Sequence, residues 1–326
     1  MKRTAISIAA IVLCAMLFAQ SNVLPLTGQA AREYQNKEYL KAKELIDQSI
    51  AGEGGEDAYT WQVRGHIYKE IFKQMENENI NSPAREAAVN SFIECMKLDT
   101  ENKYLEWNST SLRFLASTFW NDAVNIMERR ERKRLSSAAE LYDKYHQIMS
   151  QARPKDNLDK FSIDFYRAYA TANRKTIEEL RAKGAEPDDY APELQRVEES
   201  YQKALKLKAD DYGSNYNYAI NLYNEAAYRI GKIPAEADLT YIMLEQAGCI
   251  EIFKQALPIA KNAENLRPGR IEILKALRAI HLSLSNYDEF DRYNKLVREK
   301  QGELIIDSKT ERELKRKYFI EEKTDE

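Results

Sequence analysis

A bulky residue, then a small one on the same helical face, then another bulky one recur along this chain. That recurrence constrains the fold more than any other feature of the sequence. It is clearest at Trp61-x2-Arg64-Gly65-x2-Tyr68, followed by Ala88-x3-Phe92-x2-Cys95. Steps of three and four residues put such side chains on one side of a helix. A small residue between bulky ones lets a second helix come close, and a larger side chain there would cost about 1–3 kcal/mol through overpacking. Repetition of the pattern predicts an array of helical hairpins, an architecture that offers extended surfaces to partners.

The hairpins can be followed along the chain. Pro25 opens a first helix through Asn36, and Tyr39, Ala42, Ile46 and Ser49 mark its partner, closed by Gly52 to Gly55. The Trp61 to Met75 segment and the helix carrying Ala88 form the second pair, split by the Asn-rich stretch Glu76 to Pro83. The third pair carries Leu112, Leu115, Ala116 and Phe119, then Ala138, Tyr142 and Tyr145. The fourth spans about Asn157 to Lys183 and Tyr190 to Lys208, broken at Gly184 to Pro187. The fifth carries Tyr218, Ala219 and Leu222, a break at Gly231 to Pro234, then Ala256, Ala260 and Ala263, with Pro258 expected to kink the helix. Leu274 and Leu277, then Tyr287 and Phe290, make a compact sixth pair. The equivalent second-helix positions are Ala42, Ala88, Ala138, Val197, Ala256 and Phe290. They are spaced irregularly, from 34 residues (Ala256 to Phe290) to 59 (Ala138 to Val197).

These residues resemble the tetratricopeptide repeat family, whose unit is about 34 residues with Trp, Leu, Gly and Tyr in the first helix and Ala, a large residue, Ala and Pro in the second. Trp61, Gly65 and Tyr68 match the first half, with Arg64 in place of Leu, and Ala88 and Phe92 match the second after an insertion. Leu112, Leu115, Ala116 and Phe119 match again, as do Ala256, Ala263 and Pro268. Arg278 occupies a small-residue position of the last pair, where it is expected to point to solvent. The resemblance implies an all-α fold: a right-handed α-solenoid of about six hairpins, several with lengthened helices, over residues 24–302. A capping helix and polar tail would follow over 303–326. The chain also looks like exported repeat proteins of Gram-negative bacteria, Bacteroidota especially.

The first twenty residues read as an export signal. Lys2 and Arg3 precede an uncharged run from Thr4 to Ala19, 16 residues long, short of the roughly 20 that span a bilayer as a helix. A cut after Ala19 or Gln20 places the mature protein in the periplasm or outside the cell. A retained anchor is the alternative, and a lipoprotein is disfavoured because Leu13 precedes Cys14 where a small residue is needed. Loss of Lys2 and Arg3 takes the net charge from −3 to −5, 47 basic against 52 acidic residues. That balance gives no reason to expect nucleic acid. Of the remaining thiols, Cys95 sits where the repeat wants a small packing residue, so Cys95 and Cys249 read as buried free thiols rather than a bridge.

No sequence signature for catalysis, phosphate binding or dinucleotide binding is present, and His66, His146 and His281 lie on different helices. No cofactor and no metal are implied. Asp188-Asp189 and Asp210-Asp211 read as helix-start and turn residues, and the charged run Glu128 to Arg134 as a solvated helix end. Asn108-Ser109-Thr110 fits a glycosylation acceptor that a bacterial envelope protein would leave unmodified. In the resembled family, ligand groups project from each first helix onto the concave face. Carried over, that phase selects Tyr34, His66, Lys69, Arg113, Trp120, Tyr216, Tyr223 and Asn224. Thr27 and Ala31 do not supply the family's clamp for C-terminal carboxylates. The expected function is a non-catalytic scaffold that holds a protein or peptide partner in the envelope. A receptor for an envelope glycan or peptidoglycan fragment is the alternative.

Overall fold

A computed structural model describes residues 24–302. The expected leader over 1–20 and the capping segment over 303–326 lie outside the described residues. Those described are helical with no strand among them, and the helices pack as consecutive pairs. The all-α hairpin reading of the sequence is thus the observed fold. The chain forms two compact units that meet in sequence at Leu158 and Asp159.

The first unit contains three hairpins: α1 (Pro25–Gln35) with α2 (Tyr39–Ile50), α3 (Ala58–Gln74) with α4 (Pro83–Leu98), and α5 (Leu105–Arg129) with α6 (Leu135–Ala152). The second contains three more: α7 (Asp159–Ala182) with α8 (Pro187–Leu207), α9 (Tyr212–Gly231) with α10 (Leu239–Leu266), and α11 (Ile271–Ser283) with α12 (Tyr287–Lys300). Local chemistry sets the helix starts. Pro25, Pro83 and Pro187 open α1, α4 and α8, where the missing N–H has no partner to lose. The carboxylates of Asp57, Asp211 and Asp238 accept hydrogen bonds from the backbone N–H groups of Thr60, Ser214 and Tyr241 at 2.7–3.0 Å. Glu186 and Asp189 form a reciprocal capping box at the start of α8. The paired acids are therefore helix-start and turn residues: Asp188 and Asp189 lie in the first turn of α8, Asp211 caps α9, and Asp210 sits in the turn before it.

The small residues lie where helices touch. Ala42, Ala88, Ala138, Ala256, Ala260 and Ala263 are fully buried. A Cβ added to Gly65 would fall 2.6 Å from the ring of Phe92, itself fully buried on α4. Between α1, α2 and α3 the contact is polar: Thr27 shares hydrogen bonds of 2.8 Å with Ser49 and Thr60. Cys95 and Cys249 are free and buried, one in each unit. Asn108 is also fully buried, where its side chain donates to Cys95 Sγ at 3.0 Å. No glycan can reach it in the folded protein.

Two details differ from the sequence reading. Phe290 is only partly buried, and Tyr293 and Val297 supply the core of α12 instead. Arg278 does not point away to solvent: it is partly buried and donates to Asn294 Oδ1 at 3.1 Å, linking α11 to α12. Pro258 sits inside the long helix α10, as the sequence leads one to expect, and stands exposed.

Candidate functional site

Helix α3 packs against α1, and its Lys69 and Lys73 side chains reach Ser111 and Phe114 of α5. There the Lys69 ammonium donates to Ser111 Oγ on α5 at 3.0 Å and lies 3.4 Å from His66 Nδ1. An ammonium has only donors, so His66 accepts through Nδ1 and carries its ring hydrogen on Nε2. The His66 ring meets Phe92 edge-on at 5.2 Å and Tyr34 of α1 at 6.5 Å, and Tyr34 in turn tilts against Tyr39. Lys69 also lies 5.8 Å from the Phe92 ring centre.

The charge balance of this cluster is uneven. Glu70 is engaged by Lys73 at 3.4 Å, and Lys69 has no ion pair among the described residues. Burial lowers the Lys69 pKa to about 8, with Glu70 opposing that shift. Burial first, and the Lys69 ammonium second, hold the His66 ring well below its usual pKa, so it is neutral at physiological pH. Burial raises the Tyr34 phenol above its usual range, which keeps it a donor. The cluster therefore offers a cation with no carboxylate partner among the described residues, framed by neutral aromatic rings.

The other residues selected from the sequence lie apart. Arg113 is exposed, two positions from Ser111 and so on another side of α5. Trp120 is partly buried against Tyr145 and Tyr142 of α6, at ring distances of 5.2 and 6.1 Å, and so packs within its own hairpin. In the second unit Tyr216 stacks on Tyr212 at 6.0 Å, Tyr223 tilts onto Phe253 at 5.5 Å, and Asn224 is exposed. Three of the eight residues thus form one cluster, while Trp120, Tyr216 and Tyr223 also serve packing.

Sequence reasoning missed Ser111 and Phe92 as members of the cluster. Phe92 was legible only as packing, and Ser111 carries no local signal. It also left Arg64 unexplained in place of the repeat's Leu. Arg64 Nε donates to Asp47 Oδ1 at 2.9 Å and Nη1 to Ser91 Oγ at 2.8 Å, and its guanidinium lies 4.3 Å from the Tyr68 ring centre. Burial alone would raise the Asp47 carboxyl. Hydrogen bonds from Tyr68, Lys43 and Arg64 instead hold it below its ordinary value.

A cleft of about 840 Å³ lies elsewhere in this unit, between Asn79, Asn81 and Asn90 on one side and Ser137, Glu140 and Lys144 of α6 on the other. Lys144 pairs there with Glu86. Arg134, at the end of the charged run, also lines it and pairs with Glu131 at 3.0 Å. The run is thus solvated and internally paired.

No protein-family model matches the chain, and no curated protein matches it. Among the described residues, no group of three His, Cys, Asp or Glu side chains could hold a metal ion. No described helix is long and apolar enough to cross a membrane.

Proposed function

We propose that the protein is a non-catalytic scaffold of the tetratricopeptide type, exported to the cell envelope, and that it holds a protein or peptide partner on the face built by α1, α3 and α5. The observation that carries this reading is the Lys69 ammonium, held between Ser111 and neutral His66 with no ion pair among the described residues. A buried charge costs free energy unless paired, so a partner carboxylate that reaches it regains what folding leaves unsatisfied. Tyr34 and His66 supply apolar area around that charge, as anchors at interfaces do.

The test begins with a photocrosslinker at Lys73, one turn from Lys69 on α3 and partly exposed, in intact cells, which identifies the partner. Titration of that partner against wild type and Lys69→Met follows. The variant is expected to bind at least about tenfold more weakly while melting as a folded helical protein, since a charge-assisted hydrogen bond contributes about 1.5–3 kcal/mol. Equal affinity would remove the face from consideration. A melting shift with envelope glycans and no crosslinked protein would favour a glycan receptor instead.

A further inference from the structure

Arg167 of α7 is closely held yet unbonded. A Cβ added to Gly213 of α9 would fall 2.5 Å from its Cζ and Nη2, so the guanidinium lies against that glycine and no larger residue leaves it room. Its Nε is buried and has no hydrogen-bond partner among the described residues. The carboxylates beside it, Asp164 and Asp211, stand 3.8 and 3.9 Å from Nη1, beyond hydrogen-bond reach. Asp211 is already engaged, since its Oδ2 accepts from the Ser214 N–H at 2.7 Å. A guanidinium has five donors and no acceptor, and a buried donor left unbonded costs free energy.

Two further cations share this place. Arg167, Lys208 just after α8 and Arg267 just after α10 line one cleft of about 250 Å³, with Asp210 and Asp211 as its acids. Lys208 and Arg267 are exposed, and neither has an ion pair among the described residues; Asp210 pairs with none of the three cations. Arg267 is placed by an aromatic ring instead, its guanidinium 4.7 Å from the centre of Tyr212. Tyr212 is itself fixed, stacked on Tyr216 at 6.0 Å and donating to Glu272 at 3.1 Å. Contact with a ring orients a cation without cancelling its charge. The cleft therefore sets three cations against two carboxylates, one of which is engaged in capping a helix.

We propose that this cleft binds a phosphate group, carried by a small soluble ester or by a lipid headgroup. A phosphate monoester brings three acceptor oxygens and about −1.5 to −2 charges at neutral pH. Its oxygens match the guanidinium fork in pairs, which gives the unbonded donors of Arg167 their partners. Its charge offsets the repulsion among Arg167, Lys208 and Arg267, which the single charge of a carboxylate does less well. A volume of about 250 Å³ equals roughly eight waters at about 30 Å³ each. That admits a phosphate with a short attachment and leaves a polymer chain outside. All of these residues belong to the second unit, so the site stands or falls separately from the Lys69 face of the first.

Calorimetric titration of the full chain with inorganic phosphate at neutral pH tests the site. Wild type is expected to show one saturable site per chain at millimolar phosphate or below. Arg167→Met should weaken it at least about tenfold, through loss of charge-assisted contacts. Gly213→Ala is the sharper variant, because it keeps every charge and alanine suits a helix, while its methyl displaces the guanidinium. It should weaken binding by a similar factor and melt no lower than wild type. Flotation with phosphatidylcholine vesicles, with and without phosphatidic acid, identifies the source. Flotation that needs phosphatidic acid and is lost in Gly213→Ala assigns a lipid headgroup, and phosphate binding without flotation assigns a soluble ester. Wild type that neither binds phosphate nor floats overturns the proposal. So does Gly213→Ala that binds or floats as well as wild type, since charge alone would then explain the result.

Discussion

Lys69 and Gly65 lie four residues apart on α3, and only one of their roles was legible. Gly65 was readable because the reason for its size is local: it sits three residues before Tyr68 and four after Trp61, on a face that a second helix must approach. Gly65→Ala is expected to lose about 1–3 kcal/mol in urea denaturation, because the buried Phe92 ring has nowhere to retreat. An unchanged midpoint would mean the ring can shift. Lys69 was legible as a face residue but not as a perturbed amine. Its folded pKa, near 8, lies below its unperturbed 10.5. Between those values the unfolded chain binds more protons, so the burial penalty is complete below pH 8 and is relieved as pH rises toward 10.5. Lys69→Met should therefore be more stable than wild type at pH 7, by on the order of 1–3 kcal/mol. That gap should narrow by about pH 9.5, and a constant gap would contradict the assigned shift.

At the scale of elements, helix starts were readable and helix partners were less so. Pro25, Pro83 and Pro187, with the capping acids, act within a single turn, so the chain announces them. Arg85 shows the limit. In the sequence it is one charge in the first turn of α4, yet it is fully buried. Its guanidinium donates to Asp122 of α5 and to the Ile80 carbonyl, both at 2.6 Å, and stacks 3.8 Å from the Phe119 ring centre. Asp122 is 37 residues away, and no spacing rule joins them. Asp122→Ala should cost about 3–5 kcal/mol in denaturation, because it strands a buried cation. Combining it with Arg85→Met should restore most of that loss, and a double variant as unstable as the single would show that the cation itself is not the cause. The sixth hairpin teaches the same lesson: Phe290 has the expected spacing, but Tyr293, bonded to Glu264 of α10 at 2.7 Å, is the residue that turns inward.

At the scale of the molecule, each unit has its own packed interior. In the second, Ala256, Ala260 and Ala263 line one face of α10 within a continuous apolar cluster. In a repeat array each hairpin depends mainly on its neighbours. Ala260→Leu should therefore speed amide exchange in α9 to α11 while α3 and α4 keep their protection, and equal loss in both units would indicate one cooperative fold. The sequence by itself determined that the chain is helical, paired and free of recognisable catalytic motifs, because helix period, small-residue spacing and caps are local properties. Only the tertiary structure decided that Tyr34, His66 and Lys69 meet, that Arg64 and Arg85 are held by acids far along the chain, and that Arg167 lies against Gly213. Those facts depend on which helices stand side by side. Distances between residues that meet only after folding are not written in any single turn of the chain.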